Sequence, residues 1–394
     1  MVRTDSGLIL HHASTRDGPS ALRIAGSRIV GHELPAQAGD RCIDLHGDRL
    51  LPGLINAHDH LQLNALPRLK YRAHYANAAQ WIADIDPRLQ SDPLLLDYGA
   101  VAREQRLLIG GIKNLLSGVT TVAHHDPLYP SLVDAAFPVR VLMAFGWSHS
   151  LSLEGPRSVQ SAHHQTPAHW PWIIHAGEGT DAAAAAEFEQ LEALGCLTAN
   201  TLLVHGVALD SAQQQRLVEA GAGLIWCPSS NLHLFERTVD IRLLLEPRRL
   251  ALGSDSRISG GLDLLAELRL ARQLARLDEA CLESLVTDRA AALLRLADRG
   301  TLAPGALGDL IVLPAALPLS RARRADLRLV LVGGVPSYAD PDYAAAFGRD
   351  ADLVAVRVDG RPKFLARSLV AALGAASIRE PGLELDTRLP ETAT

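Results

Sequence analysis

The chain has 394 residues, of which 48% are apolar, and it carries a formal net charge of −6. This length allows a barrel-sized domain with an accessory domain, and the charge balance without a polybasic tract excludes nucleic acid as an expected partner. No apolar run approaches the roughly 18 residues of a membrane-spanning helix, and the four scattered cysteines predict no disulfide framework, so we expect a cytoplasmic protein without a membrane partner.

The two ends of the chain share a strand-rich character. Residues 1–50 hold short apolar runs separated by turn residues, and residues 301–370 return to similar runs such as "GDLIVLP" and "DLVAVRVDG". Neither end can bury a core alone, so we predict that they pair into one small composite β-sandwich domain. Residues 375–394 are predicted to form a flexible tail.

The middle of the chain, residues 51–300, has a different pattern. Apolar strand-like runs alternate with helix-like stretches such as "DAAAAAEFEQLEALG". This alternation predicts an α/β fold with a parallel sheet. Fewer than 30 residues separate the third strand candidate, 138–147, from His175, which is short for a full strand–helix–strand repeat. We therefore expect an irregularity near strand four, for which 148–153 is the candidate.

Polar side chains end several of these strand-like runs. His58 and His60 follow "LLPGLIN" and, at positions i and i+2, would project from one strand face. His175, His205 and Asp255 end later runs. Because parallel strands of a barrel present their chemistry at their carboxyl ends, these side chains are expected to converge. The alternative for each histidine alone is an ordinary core or surface residue.

These residue types suit a water-activating metal site. His58, His60, His175 and Asp255 would supply three nitrogens and one oxygen to one divalent ion, which lowers the pKa of a bound water. Glu178 lies three residues after His175, where a carboxyl with a raised pKa could serve as general acid and base. The alternative for Glu178 is a helix-start glutamate that interacts with the helix dipole.

The motifs carry a family resemblance. The chain contains, in order, "PGLINAHDH", "GVTTVAHHD", "IIHAGEG", "LLVHG", "CPSSNLHL" and "LGSDS". In these motifs it resembles the amidohydrolase superfamily, in the aminohydrolase branch with cytosine deaminase, guanine deaminase and the triazine chlorohydrolases. The resemblance runs from about residue 7 to 370. It implies a (β/α)8 TIM-like barrel with a composite β-sandwich.

The resemblance also implies a mechanism. His205 would contact the attacking water or the substrate, and Asp255 would join Glu178 and His205 in catalysis. The chain has no lysine between Lys113 and Lys363 to bridge two metals, which favours one metal ion, with zinc preferred over iron. The implied function is hydrolytic deamination of an amino-heterocycle or amidine-like C–N bond by metal-activated hydroxide, with Glu178 as proton shuttle. The alternatives are ring opening of a cyclic amide and a non-catalytic binding protein of the same fold.

The substrate would be a small molecule, and a homodimer is left open. Candidate substrate-binding residues are His125, which aligns with a histidine of some relatives, and Ser229 and Asn231, which end the seventh strand-like run. The alternative for Ser229 and Asn231 is a turn around Pro228. Arg68, in the basic stretch 68–72, could clamp an anionic group, the alternative being a solvated basic loop.

Overall fold

The computed structural model describes residues 7–385, which form an α/β fold of 19 strands and 14 α-helices. The strands are β1 Leu8–Thr15, β2 Gly18–Ala25, β3 Arg28–His32, β4 Arg41–Asp44, β5 Arg49–Pro52, β6 Leu54–Asp59, β7 Val119–His124, β8 Arg140–Val141, β9 Gly146–Ser150, β10 Trp172–Ala176, β11 Thr201–His205, β12 Gly223–Trp226, β13 Leu250–Leu252, β14 Leu310–Leu313, β15 Leu329–Val332, β16 Val335–Ala339, β17 Leu353–Val358, β18 Arg361–Ala366 and β19 Leu383–Leu385. The helices are α1 Ala78–Ile85, α2 Pro93–Ala100, α3 Arg103–Leu116, α4 Leu151–Glu154, α5 Pro156–Gln165, α6 Ala182–Ala193, α7 Ser211–Glu219, α8 Pro228–Phe235, α9 Arg242–Leu245, α10 Leu264–Ala275, α11 Glu279–Leu285, α12 Asp288–Leu293, α13 Pro341–Phe347 and α14 Arg367–Ala375.

The central strands are parallel and form two sheets. One sheet has the order β6-β7-β8 and the other the order β13-β12-β11-β10-β9. Strands β6, β7, β10, β11, β12 and β13 are buried along their whole length, as expected for parallel strands covered on both faces. This arrangement fits a TIM-like barrel. Strand β8 has only two residues, and no ladder within the described residues joins it to β9, the fourth parallel strand. The irregularity thus lies where the short spacing predicted it.

Strands from both ends of the chain form one further sheet. Its order is β19-β17-β18-β16-β15-β14-β5-β1-β2-β3, with β4 beside β1. The two ends meet where β14 pairs antiparallel with β5, so that Ile311 lies opposite Leu51. Apolar side chains alternate with exposed ones along β17, which is the pattern of a strand with one buried face. A second core cluster, including Leu22, Leu310 and Leu329, packs within this part of the structure.

The structure differs from the predicted flexible tail over residues 375–385. Strand β19 pairs with β17, and Glu380 is 2% exposed because it lies between two guanidinium groups. Its carboxylate accepts hydrogen bonds from Arg257 at 2.6 and 2.8 Å and from Arg324 at 2.7 Å. The sequence of this segment predicted disorder. Its ordering depends on Arg257 and Arg324, which are distant in sequence and could not be recognised as partners of Glu380. The rest of the predicted tail, 386–394, lies outside the described residues.

Residues 61–100 are inserted between β6 and α3 and contain α1 and α2. The Asn77 side chain accepts a hydrogen bond from the backbone N–H of Gln80 and so caps α1. The same segment is bonded to the loop after β10: the Ala78 N–H donates to the carbonyl of Glu178 at 2.9 Å, and the Thr180 N–H donates to the carbonyl of Ala76 at 2.7 Å. This insertion therefore lies over the carboxyl ends of the parallel strands. Within residues 7–385, no helix is both long and apolar enough to cross a bilayer.

Candidate active site

Buried imidazoles and one carboxylate meet at the carboxyl ends of the parallel strands. His58 lies in β6 with His60 directly after it, His175 lies in β10, and His205 ends β11. Nitrogens of His58, His60, His125 and His175 lie within 4.8 Å of one another, as do ligand atoms of His58, His205 and Asp255. His58 belongs to both groups. The structure thus brings together every residue that the sequence proposed for the metal centre.

Hydrogen bonds fix the orientation of two of these rings. The Nδ1 of His60 pairs with the Asp126 carboxylate at 2.7 Å, and the Nδ1 of His175 pairs with the carbonyl oxygen of His149 at 2.8 Å. An acceptor at Nδ1 holds the ring proton there and leaves the Nε2 lone pair free for a cation. The two Nε2 atoms lie 3.3 Å apart. Two lone pairs at that distance require a proton or a cation between them.

The protonation of the cluster follows from its surroundings. Burial lowers the pKa of His58 and of His175 well below the usual histidine value, which keeps these imidazoles neutral as metal ligands must be. Burial also lowers the pKa of His60, but the Asp126, Asp255 and Asp59 carboxylates outweigh that effect and raise the pKa to about 9. Binding of a cation at Nε2 of His60 would therefore displace a proton from that nitrogen.

His58 provides the test of whether a metal fits here. The ring is fully buried, and neither Nδ1 nor Nε2 has a hydrogen-bond partner among the described residues. Buried polar atoms are almost always bonded, so an unbonded imidazole at the centre of the cluster indicates a missing partner. Its Nε2 lies 3.8 Å from the Asp255 carboxylate. Imidazole nitrogens and a carboxylate oxygen are donors that divalent zinc or iron accepts, so the residues present fit such an ion.

Asp255 is held in place by its own loop. Its backbone has φ 51°, a left-handed conformation that turns the chain sharply after β13. One carboxylate oxygen accepts the Ser256 N–H at 2.6 Å, and the other accepts the Ser259 hydroxyl at 2.8 Å. Burial alone would raise the pKa of Asp255, but the nearby His205 and His60 have a larger opposite effect. The pKa of Asp255 is therefore lowered, and its carboxyl group stays ionised.

Glu178 and His205 face each other beside this cluster. Oε1 of Glu178 lies 3.5 Å from Nε2 of His205. The Nδ1 of His205 pairs with Oδ1 of Asn231 at 2.8 Å, which directs Nε2 toward Glu178. Burial raises the pKa of Glu178 above its usual value. The helix-start interpretation does not hold, because α6 begins at Ala182 and Asp181 caps it by accepting the Ala184 N–H at 2.9 Å.

A buried polar network that the sequence did not reveal supports the site. Lys113 is fully buried and donates to the Asp59 carboxylate at 3.1 Å, the Ser254 hydroxyl at 3.0 Å and the Asp255 carbonyl at 2.8 Å. It therefore ties the strand that carries His58 to the loop that carries Asp255. One signal was available: Lys113 lies four residues after Ile109 and three before Leu116, on an apolar face of α3 where a lysine needs a buried partner.

A cavity of about 240 Å³ adjoins the cluster, and its wall includes His60, His175, Glu178, His205 and Asp255. The four predicted substrate contacts are not among the residues of that wall, and their role in binding stays a prediction. They have other partners: His125 bonds the Ser148 carbonyl, Ser229 donates its N–H to Glu267, Asn231 bonds His205, and Arg68 donates to the Gly260 carbonyl. The sequence could not show these partners because each is brought close only by the tertiary fold. His149 lines the cavity and was not predicted.

The fold and the clustered ligands are those of a metal-binding α/β hydrolase, and comparison with known proteins supplies the family. The sequence pattern of the Amidohydrolase family matches residues 159–364, more than half of the chain. The chain therefore belongs to the amidohydrolase family and is a hydrolase of carbon–nitrogen bonds other than peptide bonds, which confirms the resemblance seen in the motifs.

Relatives and solved structures agree with this assignment. The chain is 26% identical over 377 residues to 5-methylthioadenosine/S-adenosylhomocysteine deaminase of Halobacterium salinarum, covering 80% of this chain and 85% of that protein. It is 34% identical over 170 residues to 8-oxoguanine deaminase of Pseudomonas aeruginosa, covering 37% of each. A zinc-bound adenosine deaminase of Xanthomonas campestris has a similar fold, with a TM-score of 0.68 at 20% identity over 88% of this chain and 97% of that one.

A mutant of atrazine chlorohydrolase from Arthrobacter aurescens, complexed with zinc and atraton, also shares the fold. Its TM-score is 0.70 at 18% identity, covering 87% of this chain and 99% of that one.

Proposed function

We propose that this protein is a metal-dependent deaminase that hydrolyses an exocyclic C–N bond of an amino-heterocycle. The observation that carries the proposal is the placement of Glu178, a largely buried carboxyl with a raised pKa, on the cavity wall beside the imidazole cluster. A deaminase must move a proton from the attacking water to the departing amine, and a carboxyl poised in this way suits both steps. Relatives named as deaminases support the same reaction.

The ligands of the proposed ion are His58, His60, His175 and Asp255. His60 and His175 would bind through Nε2, because Asp126 and the His149 carbonyl hold their Nδ1 atoms. We favour one zinc ion over iron. When bound, a divalent ion would lower the pKa of a water molecule toward about 7 and so supply a nucleophile at neutral pH.

The remaining chemistry belongs to the protein side chains. Oε1 of Glu178 would accept the proton of the attacking water and return it to the leaving nitrogen. His205 presents Nε2 to the Glu178 carboxyl, so Nε2 can accept a hydrogen bond from that carboxyl while it carries the proton. Asp255, ionised and held by Ser256 and Ser259, would keep a negative charge opposite the imidazoles. Burial of these groups strengthens their mutual electrostatic interactions.

An activity screen with metal analysis tests the proposal. The purified protein is incubated with aminopurines, aminopyrimidines and pterins, and released ammonia is measured. We expect ammonia from at least one class and about one zinc per chain. Substrate loss without ammonia would instead support ring opening of a cyclic amide. Absence of both turnover and stoichiometric metal would support a binding protein of this fold.

The domain boundaries are part of the proposal. We assign residues 51–300 to a closed catalytic barrel, irregular near strand four, and residues 1–50 with 301–370 to a composite β-sandwich. The shared sheet formed by strands of both ends supports the second assignment. A cytoplasmic location and a homodimer stay predictions.

A further inference from the structure

We propose that the substrate carries an uncharged apolar substituent on its heterocycle, and that the inserted segment 61–100 forms the wall that receives it. This inference rests on the proposed function, because it concerns the cavity that adjoins Glu178 and the imidazole cluster. It goes further in naming which chemical class of amino-heterocycle the cavity selects and which class it rejects.

The first observation is the composition of the cavity wall. Apart from the polar groups of the active site, the wall is dominated by aliphatic and aromatic side chains, and most of them come from the insertion. Leu66, Ile85 and Leu95 of the insertion form one apolar cluster with Ile258, against which Trp81 and Tyr98 also pack. A continuous apolar wall of this kind gains free energy only by burying apolar surface of a ligand.

The second observation concerns the polar atoms of the two aromatic side chains. The indole N–H of Trp81 donates to the Leu69 carbonyl at 2.9 Å, and the Tyr98 hydroxyl donates to the Gln62 carbonyl at 3.0 Å. Each donor is therefore already satisfied within the insertion. These residues face the cavity with carbon rather than with free hydrogen-bonding groups, so a polar substituent would lose its hydration without replacement.

The third observation is the sign of the charge at the cavity. None of the described residues that line it is a lysine or an arginine, whereas Glu178, Asp255 and Asp86 are carboxylic. Away from the imidazole cluster, a phosphate or carboxylate on the substituent would meet no lysine or arginine among the described residues of the wall. The wall therefore disfavours anionic substrates on electrostatic grounds as well as on grounds of hydration.

The basic stretch after the first metal motif does not change this conclusion, because its cations have partners elsewhere. Arg68 donates to the Gly260 carbonyl at 2.6 Å, and Lys70 donates to the carbonyls of Ala73 and His233 at 2.6 and 2.9 Å. Arg72 forms a two-pronged ion pair with Asp84 at 2.6 and 2.9 Å. Arg68, which the sequence suggested as a clamp for an anionic group, and its basic neighbours thus form hydrogen bonds and an ion pair that stabilise the insertion.

Substrate series test the inference directly. One aminopurine or aminotriazine head is prepared with alkyl substituents of increasing length, and with a chain of equal length that ends in a carboxylate. We expect kcat/KM for ammonia release to rise about fourfold per added methylene until the cavity is filled. The carboxylate analogue should fall below its neutral counterpart by about a hundredfold. Equal rates along the alkyl series, or a preference for the carboxylate, would overturn the inference.

A matched pair of variants locates the effect. Leu89 lines the cavity and is 46% exposed, whereas Leu96 lies in the same insertion, is 48% exposed and is not on the cavity wall. Either position can accept a lysine without burying its charge. Leu89→Lys should reduce the preference for neutral over carboxylate substrates by about tenfold. Leu96→Lys should leave that preference unchanged, and equal effects of the two variants would exclude the insertion wall as its cause.

Binding measurements separate this inference from the proposed function. The deaminated products of both series are titrated calorimetrically into the protein, so that no turnover is required. Affinity that rises with alkyl length would support the apolar wall even if the ammonia assay failed and the deaminase proposal fell. Affinity that is independent of length would refute the wall, whatever the enzyme's activity.

Discussion

Replacing Glu178 by glutamine removes its ability to carry a proton and little else. The side chain keeps its size, it is not one of the proposed ligands, and the cap of α6 is provided by Asp181 instead. General acid–base catalysis typically contributes about 10²- to 10⁴-fold in rate, which corresponds to about 3–5 kcal/mol of activation free energy. We therefore expect Glu178→Gln to lose kcat by that factor while its zinc content and unfolding free energy change little.

Glu187→Gln is the matched control for this variant. Glu187 is also a partly buried carboxyl near the site, and its pKa is raised to about 7 by desolvation, but its Oε2 accepts the N–H of Gly177 at 2.8 Å. A glutamine can keep that hydrogen bond through its amide oxygen, so kcat should stay within about threefold of the parent. Steady-state ammonia release gives kcat, and elemental analysis gives metal content. A Glu178→Gln protein that retains its metal and turns over within tenfold of the parent would refute the proton-carrier role.

Three other perturbations have defined outcomes. His175→Ala should lose both metal and activity, and full metal occupancy by elemental analysis would remove His175 from the ligand set. Glu380→Ala should lower the free energy of urea unfolding by about 3–5 kcal/mol, because it leaves the buried Arg257 without its carboxylate partner and leaves Arg324 with Asp359 alone; a loss under 1 kcal/mol would contradict that account. Burial raises the pKa of Glu267 from 4.5 in the unfolded chain to about 7 in the folded protein. The folded state therefore favours the protonated carboxyl, and its contribution to the free energy of unfolding is fully present below pH 4.5. As the pH rises through 7 this contribution, about 3 kcal/mol, is lost. Urea unfolding from pH 4.5 to 7.5 should therefore decline less steeply in Glu267→Gln than in the parent, and parallel declines would exclude Glu267 as the source.

Strand ends were the most informative feature of the sequence. In a parallel sheet the carboxyl ends of the strands share one edge, so a polar residue at the end of each apolar run can be placed without knowledge of the packing. That rule was sufficient to collect His58, His175, His205 and Asp255, which the structure places in two groups of potential ligands that share His58. Fold class followed from the same periodicity.

What the sequence missed depends on contacts between distant segments. Asp126 and the His149 carbonyl fix the ligand rings, but their spacing from His60 and His175 has no local pattern. The polar residues 375–385 resemble a free tail unless the buried partners of Glu380 are known. The hydrogen bond from Arg68 to the Gly260 carbonyl is another example, because the sequence shows that a side chain can donate a hydrogen bond but not which acceptor the fold brings to it.

Helix α1 is bonded to the loop that carries Glu178, and under the proposed function this attachment would couple recognition to rate. Ala78, its first residue, donates to the carbonyl of Glu178, and Asn77 donates its side-chain amide to Asp181 at 2.6 Å. Ile82 and Ile85 of the same helix face the cavity. In the proposed deaminase, a ligand group that packs on these isoleucines would brace the backbone that positions the Glu178 carboxyl. Binding energy from a part of the substrate remote from the reacting carbon would then increase turnover as well as affinity.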